Sequence, residues 1–310
     1  MTLDPQARTY LDKLASLKLP GFHTMAPDDS RRLFRAMRGL AGKPDPIEAV
    51  EDRTTPGSIP IRTYRPLGCS SDSPLPVLVY YHGGGWVLGD IETVDNLCRR
   101  IANASGCSVV SVDYRLSPEA KFPMALDDCL EAVEFVKAEA HSLGIDPRKI
   151  AVGGDSAGGN LAASVALKAR GRDDLAIAFQ LLIYPIADFR FDTASYLENA
   201  DGFGLSREMM TWYWDQYLAS PEDGRSPFAS PLRAEDLAGL PPALVITAGF
   251  DVLRDEGRAY ADRLVEAGVP VEVLHYPGMI HGFLQMADSF DQGKLAIEEA
   301  GRALRSALGG

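Results

Sequence analysis

Ile150-Ala151-Val152-Gly153-Gly154-Asp155-Ser156-Ala157-Gly158-Gly159-Asn160 joins an apolar run, a glycine-flanked serine and the start of a helical stretch that continues to Arg170. The order predicts strand, tight turn, helix. A Gly-x-Ser-x-Gly turn, here Gly154 to Gly158, is sterically demanding: the serine must adopt a strained backbone, and small neighbours let strand and helix approach closely. The arrangement holds a hydroxyl at the edge of a sheet beside a helix amino terminus, whose free amides favour developing negative charge. Ser156 is therefore the candidate nucleophile. An ordinary glycine-rich turn is the bland alternative, and the companions of Ser156 decide against it.

Working outward, short β-type runs separated by turn residues occupy 59–64, 77–81, 107–112, 150–153, 179–184, 243–248 and 271–274. Several are continuously apolar, as strands buried on both faces of a parallel sheet are, and helical segments at 93–104, 126–140, 157–170, 253–267 and 293–308 lie between them. The alternation predicts an α/β fold. It breaks at 187–218, where Phe189, Phe191, Tyr196, Phe203, Trp212, Tyr213, Trp214 and Tyr217 crowd together. This insertion reads as a lid over an apolar pocket, with a helix packed on the core as the plainer reading. Ahead of the strands, Asp4 and Pro5 open a helix with Tyr10, Leu14 and Leu17 on one face. Pro27, Asp28 and Asp29 open a second, in which Leu33, Phe34, Met37 and Leu40 face one way. Arg31, Arg32, Arg35 and Arg38 on that helix read as a solvated face, and 43–46 as a linker.

The chain has 310 residues, enough for one large α/β domain. Lys plus Arg number 31 against 43 for Asp plus Glu, a net charge of −12, which argues against nucleic acid as a partner. Cys69, Cys98, Cys107 and Cys129 form no CxxC, so neither a zinc site nor a disulfide framework is expected. The opening MTLDPQARTYLDK lacks a basic start followed by an apolar run, and no stretch is long enough for a membrane span. A cytoplasmic chain is expected.

His82-Gly83-Gly84-Gly85-Trp86 closes the apolar run 77–81. A glycine run can present two amides to one oxygen without side chains in the way, and Ala157 can supply a third. Gly84, Gly85 and Ala157 are the expected oxyanion donors, and His82 is expected to shape the loop. A serine also needs a base and an orienting carboxylate. Of the five histidines, His281 alone lies in a loop between the last strand and the last helix. Asp251 follows the apolar run 243–248 at a strand's carboxyl end, where open α/β sheets assemble sites. Its rivals Asp255 and Glu256 fall one turn into the next helix and suit capping or salt bridging. The chain order Ser156, Asp251, His281 is that of α/β-hydrolases.

Together, YYHGGGWVLGD (80–90), SVDYRLSPE (111–119), GGDSAGGN (153–160), FDVLRDEG (250–257) and HGF (281–283) resemble the hormone-sensitive-lipase-like family of bacterial carboxylesterases, in its GDSAG branch. The likeness spans essentially the whole chain. It implies an α/β-hydrolase core of eight mostly parallel strands over 47–186 and 219–310, capped by amino-terminal helices (1–46) and the insertion (187–218). It also implies Ser156 as nucleophile, Asp251 as acid, His281 as base, and Gly84, Gly85 and Ala157 as oxyanion donors. One departure is Val252, where such enzymes commonly carry proline.

The expected reaction is hydrolysis of a small-molecule ester through an acyl-enzyme, with no cofactor and no metal. Trp86, Met209, Met210, Tyr213 and Trp214 are expected to close a pocket for short to medium acyl chains. An amidase or deacetylase with the same triad is the alternative. A non-catalytic ligand receptor, as in plant gibberellin receptors that resemble the family, is disfavoured because His281 is present. An edge strand near 271–274 offers a route to a homodimer.

Overall fold

The computed structural model describes residues 2–37, 43–69, 73–172 and 174–309. Eight strands form one sheet: β1 (Ala49–Thr54), β2 (Pro60–Arg65), β3 (Leu75–Tyr81), β4 (Ser108–Val112), β5 (Ile145–Asp155), β6 (Phe179–Ile183), β7 (Ala243–Phe250) and β8 (Val271–Ile280). The helices are α1 (Pro5–Ser16), α2 (Pro27–Ala36), α3 (Ile91–Ser105), α4 (Met124–Ala138), α5 (Ala157–Ala169), α6 (Ala194–Glu198), α7 (Arg207–Tyr217), α8 (Arg254–Glu266) and α9 (Asp291–Leu308).

The sheet order is β1-β2-β4-β3-β5-β6-β7-β8, antiparallel at β1-β2 and β2-β4 and parallel elsewhere. Side chains alternate across it as strand geometry requires. Val77, Val79 and Tyr81 of β3 enter one core with Leu126, Val133, Leu161 and Leu264 of α4, α5 and α8. Leu78 and Tyr80 enter the opposite core with Leu97, Ile101, Ile297 and Leu304 of α3 and α9. Burial on both faces is why the central strands are continuously apolar.

Three expectations change. β1 carries the sequence AVEDRT and is almost wholly exposed, so no hydrophobic pattern announces it; backbone pairing to β2 from Ala49↔Arg65 to Thr54↔Pro60 holds it at the edge. Leu17 caps α1 and is 48% exposed, while Ala7, Tyr10 and Leu11 are buried. Arg31 is no solvated residue: Nε donates to the Val87 carbonyl at 2.9 Å and Nη2 to the Ser117 carbonyl at 2.8 Å, with ion pairs to Glu119 and Asp28. Arg32 and Arg35 keep the expected exposure, Arg35 pairing with Asp90, the amino-terminal cap of α3, at 2.5 Å. Leu40 and Arg38 lie outside the described residues.

Four loops leave the carboxyl ends of parallel strands. His82 follows β3, Ser156 follows β5, Asp251 follows β7 and His281 follows β8. The strand β8 runs to Ile280, through Pro277 and Gly278, so His281 stands at its end rather than deep in a loop. Among the described residues no helix is long and apolar enough to cross a membrane.

Candidate active site

Ser156 sits between β5 and α5 with φ 57° and ψ −118°, a left-handed conformation that costs a non-glycine residue of order 1–3 kcal/mol. The surroundings enforce it. The Ser156 amide donates to the Ile183 carbonyl at 2.9 Å, and the Ser156 carbonyl accepts from Asn160 at 3.1 Å and Ile186 at 3.3 Å. A Cβ on Gly158 would overlap the Tyr81 carbonyl, so only glycine lets α5 approach β3 this closely. Asn160 donates from its side chain to the Ile186 and Ala229 carbonyls, fixing the first turn of α5.

His281 Nε2 lies 3.0 Å from Ser156 Oγ, and His281 Nδ1 lies 2.7 Å from Asp251 Oδ2. A neutral imidazole protonated on Nδ1 donates to the carboxylate and presents a lone pair to the serine hydroxyl. The Asp251 side chain is fully buried; its Oδ1 accepts the Leu253 amide at 2.9 Å, which fixes the carboxylate plane. Val252, in the position where proline is common, is buried and accepts the Ser195 hydroxyl at 2.7 Å through its carbonyl. The two rivals sit elsewhere. Asp255 pairs with Arg254 and accepts the Ser195 amide, while Glu256 accepts the Ala187 and Asp188 amides at the start of the insertion. Burial pushes the Glu256 carboxyl well above the usual range.

Gly84 and Gly85 have φ of 119° and 60°, and a Cβ at Gly85 would run into the Tyr213 ring. The Gly84 carbonyl accepts the Val87 and Leu88 amides at 3.1 and 2.8 Å, so the loop folds back on itself. Ala157 opens α5, where amides have no intrahelical partner. Gly84 and Gly85 line the same cavity as Ser156, and Ala157 follows Ser156 in the chain. His82 is fully buried behind them, stacked on Tyr114 at 4.3 Å with Nδ1 2.8 Å from the Gly83 carbonyl.

Sequence reasoning misses Asp155. Its carboxylate accepts Tyr80 Oη at 2.7 Å, the Gly83 amide at 3.0 Å and Gln285 Nε2 at 2.7 Å. An acid ending an apolar strand is the signal that could have marked it.

A cavity of about 200 Å³ opens onto Ser156 and His281. Tyr10, Leu14, Phe22 and Phe34 close it from the amino-terminal segment, Met209, Met210 and Tyr213 from α7, and Met286 from beyond the histidine. Trp86 and Trp214, expected in this lining, lie outside it. Trp86 stacks on Tyr217 at 4.1 Å and meets Trp214 at 4.6 Å, forming a fully buried aromatic block. A larger, open groove of about 690 Å³, lined by Arg35, Arg62, Asp52 and Asp113, contains none of Ser156, Asp251 or His281.

A family model described as alpha/beta hydrolase fold matches residues 78–285. The chain is 40% identical to the carboxylic ester hydrolase LipN of Mycobacterium tuberculosis, over 99% of this chain and 84% of that protein. It is 35% identical to an ethyl acetate hydrolase of Pseudomonas putida, over 97% of this chain and 98% of that protein. Among solved structures it is similar to the ester-hydrolase EH1AB1 from the metagenome of Lake Arreo, complexed with a bipyridine phosphonate derivative: TM-score 0.95 and 43% identity, with both chains covered completely. The chain belongs to the hormone-sensitive-lipase-like family of α/β-hydrolases.

Proposed function

We propose that the protein is a serine carboxylesterase acting on short- to medium-chain acyl esters. The observation that carries the proposal is the unbroken relay from Ser156 Oγ through His281 to Asp251, opening on a small, mainly apolar cavity.

In this reading His281 Nε2 takes the Ser156 proton as Oγ attacks the ester carbonyl, and Asp251 holds the resulting imidazolium. The amides of Gly84, Gly85 and Ala157 stabilise the tetrahedral oxyanion, whose charge exists only transiently, so their effect falls on the transition state. The imidazolium returns the proton to the leaving alcohol as the C–O bond breaks. Water, deprotonated by His281, then attacks the acyl-enzyme, and collapse releases the acid and regenerates Ser156. Residues 1–46 and 187–218 act as one cap over the core of 47–186 and 219–310, supported by the lining that both segments give the cavity. A cytoplasmic setting is part of the proposal, supported by the free thiols Cys69, Cys98, Cys107 and Cys129.

Ser156→Ala tests this. Hydrolysis of p-nitrophenyl butyrate is expected to fall on the order of 10⁴-fold or more, with the remainder due to the oxyanion hole and binding. A fluorophosphonate should label the wild-type chain once, at Ser156. Near wild-type turnover by a folded Ser156→Ala chain refutes the assignment, and preference for matched p-nitroanilides over esters turns the reading to an amidase.

A further inference from the structure

Gln285 lies four residues beyond His281, in the turn region after β8, and its side-chain amide donates to Asp155 at 2.7 Å. Asp155 precedes Ser156 and is only 2% exposed. The same carboxylate accepts Tyr80 Oη from β3 and the Gly83 amide from the glycine loop. A Cβ on Gly83 would overlap Asp155 Oδ2, so loop and carboxylate are in direct contact. One buried acid thus touches the base segment, the nucleophile turn and the loop carrying Gly84 and Gly85.

We propose that Gln285 is a positioning residue, which through Asp155 keeps the glycine loop in register with Ser156 and His281. The proposal rests on the esterase reading above. Burial pushes the Asp155 carboxyl above the usual range, and the three donors that converge on it offset that by favouring the carboxylate they bond. An unpaired oxygen left in this place would seek another partner, and the Gly83 amide is the mobile one because its loop is built of glycine. Displacing oxyanion donors by a fraction of an ångström affects the transition state more than the bound ester.

The test uses Gln285→Met, which keeps length and removes the donor, and Gln285→Glu. Around Asp155 the titratable groups are Tyr80, Tyr184, His82 and His281, with Tyr114 and Cys98 further out. Burial raises both Tyr80 and Tyr184 well above the usual phenol range, so they stay neutral throughout. Each variant is read as its ratio to wild type at the same pH, which cancels any pH dependence the two share. Gln285→Met should lower kcat by about tenfold or more while KM stays within about threefold. Gln285→Glu should be weaker at about pH 8 and recover several-fold relative to wild type at about pH 5.5, where the introduced carboxyl gains a proton to donate to Asp155. Hydrogen exchange at the Gly83 amide should be faster in Gln285→Met, a readout independent of ester turnover. A kcat within twofold of wild type, a pH-flat Gln285→Glu ratio, or unchanged Gly83 exchange overturns the proposal, whereas activity surviving Ser156→Ala overturns the esterase reading instead.

Discussion

Cutting Met210 back to alanine should lengthen the acyl chain that the protein hydrolyses best. The cavity beside Ser156 measures about 200 Å³, and a methylene takes roughly the ~30 Å³ share of a water, so about six chain atoms fit. Each buried methylene contributes about 0.8 kcal/mol, close to fourfold in kcat/KM. From acetate to hexanoate the four added groups therefore give at most roughly 3 kcal/mol, on the order of 200-fold, before the wall is met. Met210, 1% exposed on α7, forms part of that wall. Removing its Cγ, Sδ and Cε makes room for about three chain atoms, and partial collapse of the site reduces this to an expected gain of about two carbons. The same truncation costs about 2–5 kcal/mol of stability, so both proteins are assayed well below the lower melting temperature. The measurement is kcat/KM over p-nitrophenyl esters from acetate to dodecanoate. An optimum at the same carbon number in both proteins refutes the reasoning. Trp214→Ala is the control: it should cost about 3–5 kcal/mol and leave the optimum in place, because Trp214 lies in the aromatic block and not in the lining.

Asp251→Asn should lose roughly 10⁴-fold in kcat by presenting the wrong imidazole tautomer to Ser156, while Asp255→Asn stays within about tenfold; the reverse ranking in steady-state kinetics identifies Asp255 as the acid. Glu256→Gln tests burial. Burial raises the Glu256 carboxyl above its unfolded value of about 4.3, so the folded chain holds that proton more tightly and this carboxyl contributes less to stability as pH rises from there toward its elevated folded pKa. The amide variant, still able to accept the Ala187 and Asp188 amides, should gain in melting temperature relative to wild type as pH rises above about 4.3, and a pH-independent difference contradicts this.

What can be read from the sequence follows from where physical demands are strong. The central strands are legible because burial on both faces permits only apolar residues, and the Ser156 turn because only small residues permit the approach of Gly158 to Tyr81. β1 is illegible for the opposite reason: an exposed edge held by backbone hydrogen bonds imposes no side-chain pattern. The sequence pattern ends β8 at 274 because Pro277 and Gly278 look like a turn, yet the pairing to β7 continues past a register shift to Phe250↔Ile280. The aromatic content of 187–218 announces burial without direction. Trp86, Trp214 and Tyr217 turn to one another, whereas Tyr213, one residue from Trp214, faces the glycine loop. Composition does not encode that choice; the phase of α7 against the core does.

The bonds of Arg31 bear on how such a protein can change its diet. Its guanidinium grips the Val87 and Ser117 carbonyls, just behind the glycine loop, from the same amino-terminal segment that brings Phe22 and Phe34 to the cavity. Side chains that line the cavity and the arginine that ties down the flank of the glycine loop are thus inherited on one stretch of chain. Exchanging that stretch with a related sequence to alter substrate range replaces both together. The unit that can be transplanted without slackening the glycine loop is a segment that carries Arg31 and meets its two carbonyl acceptors in the recipient.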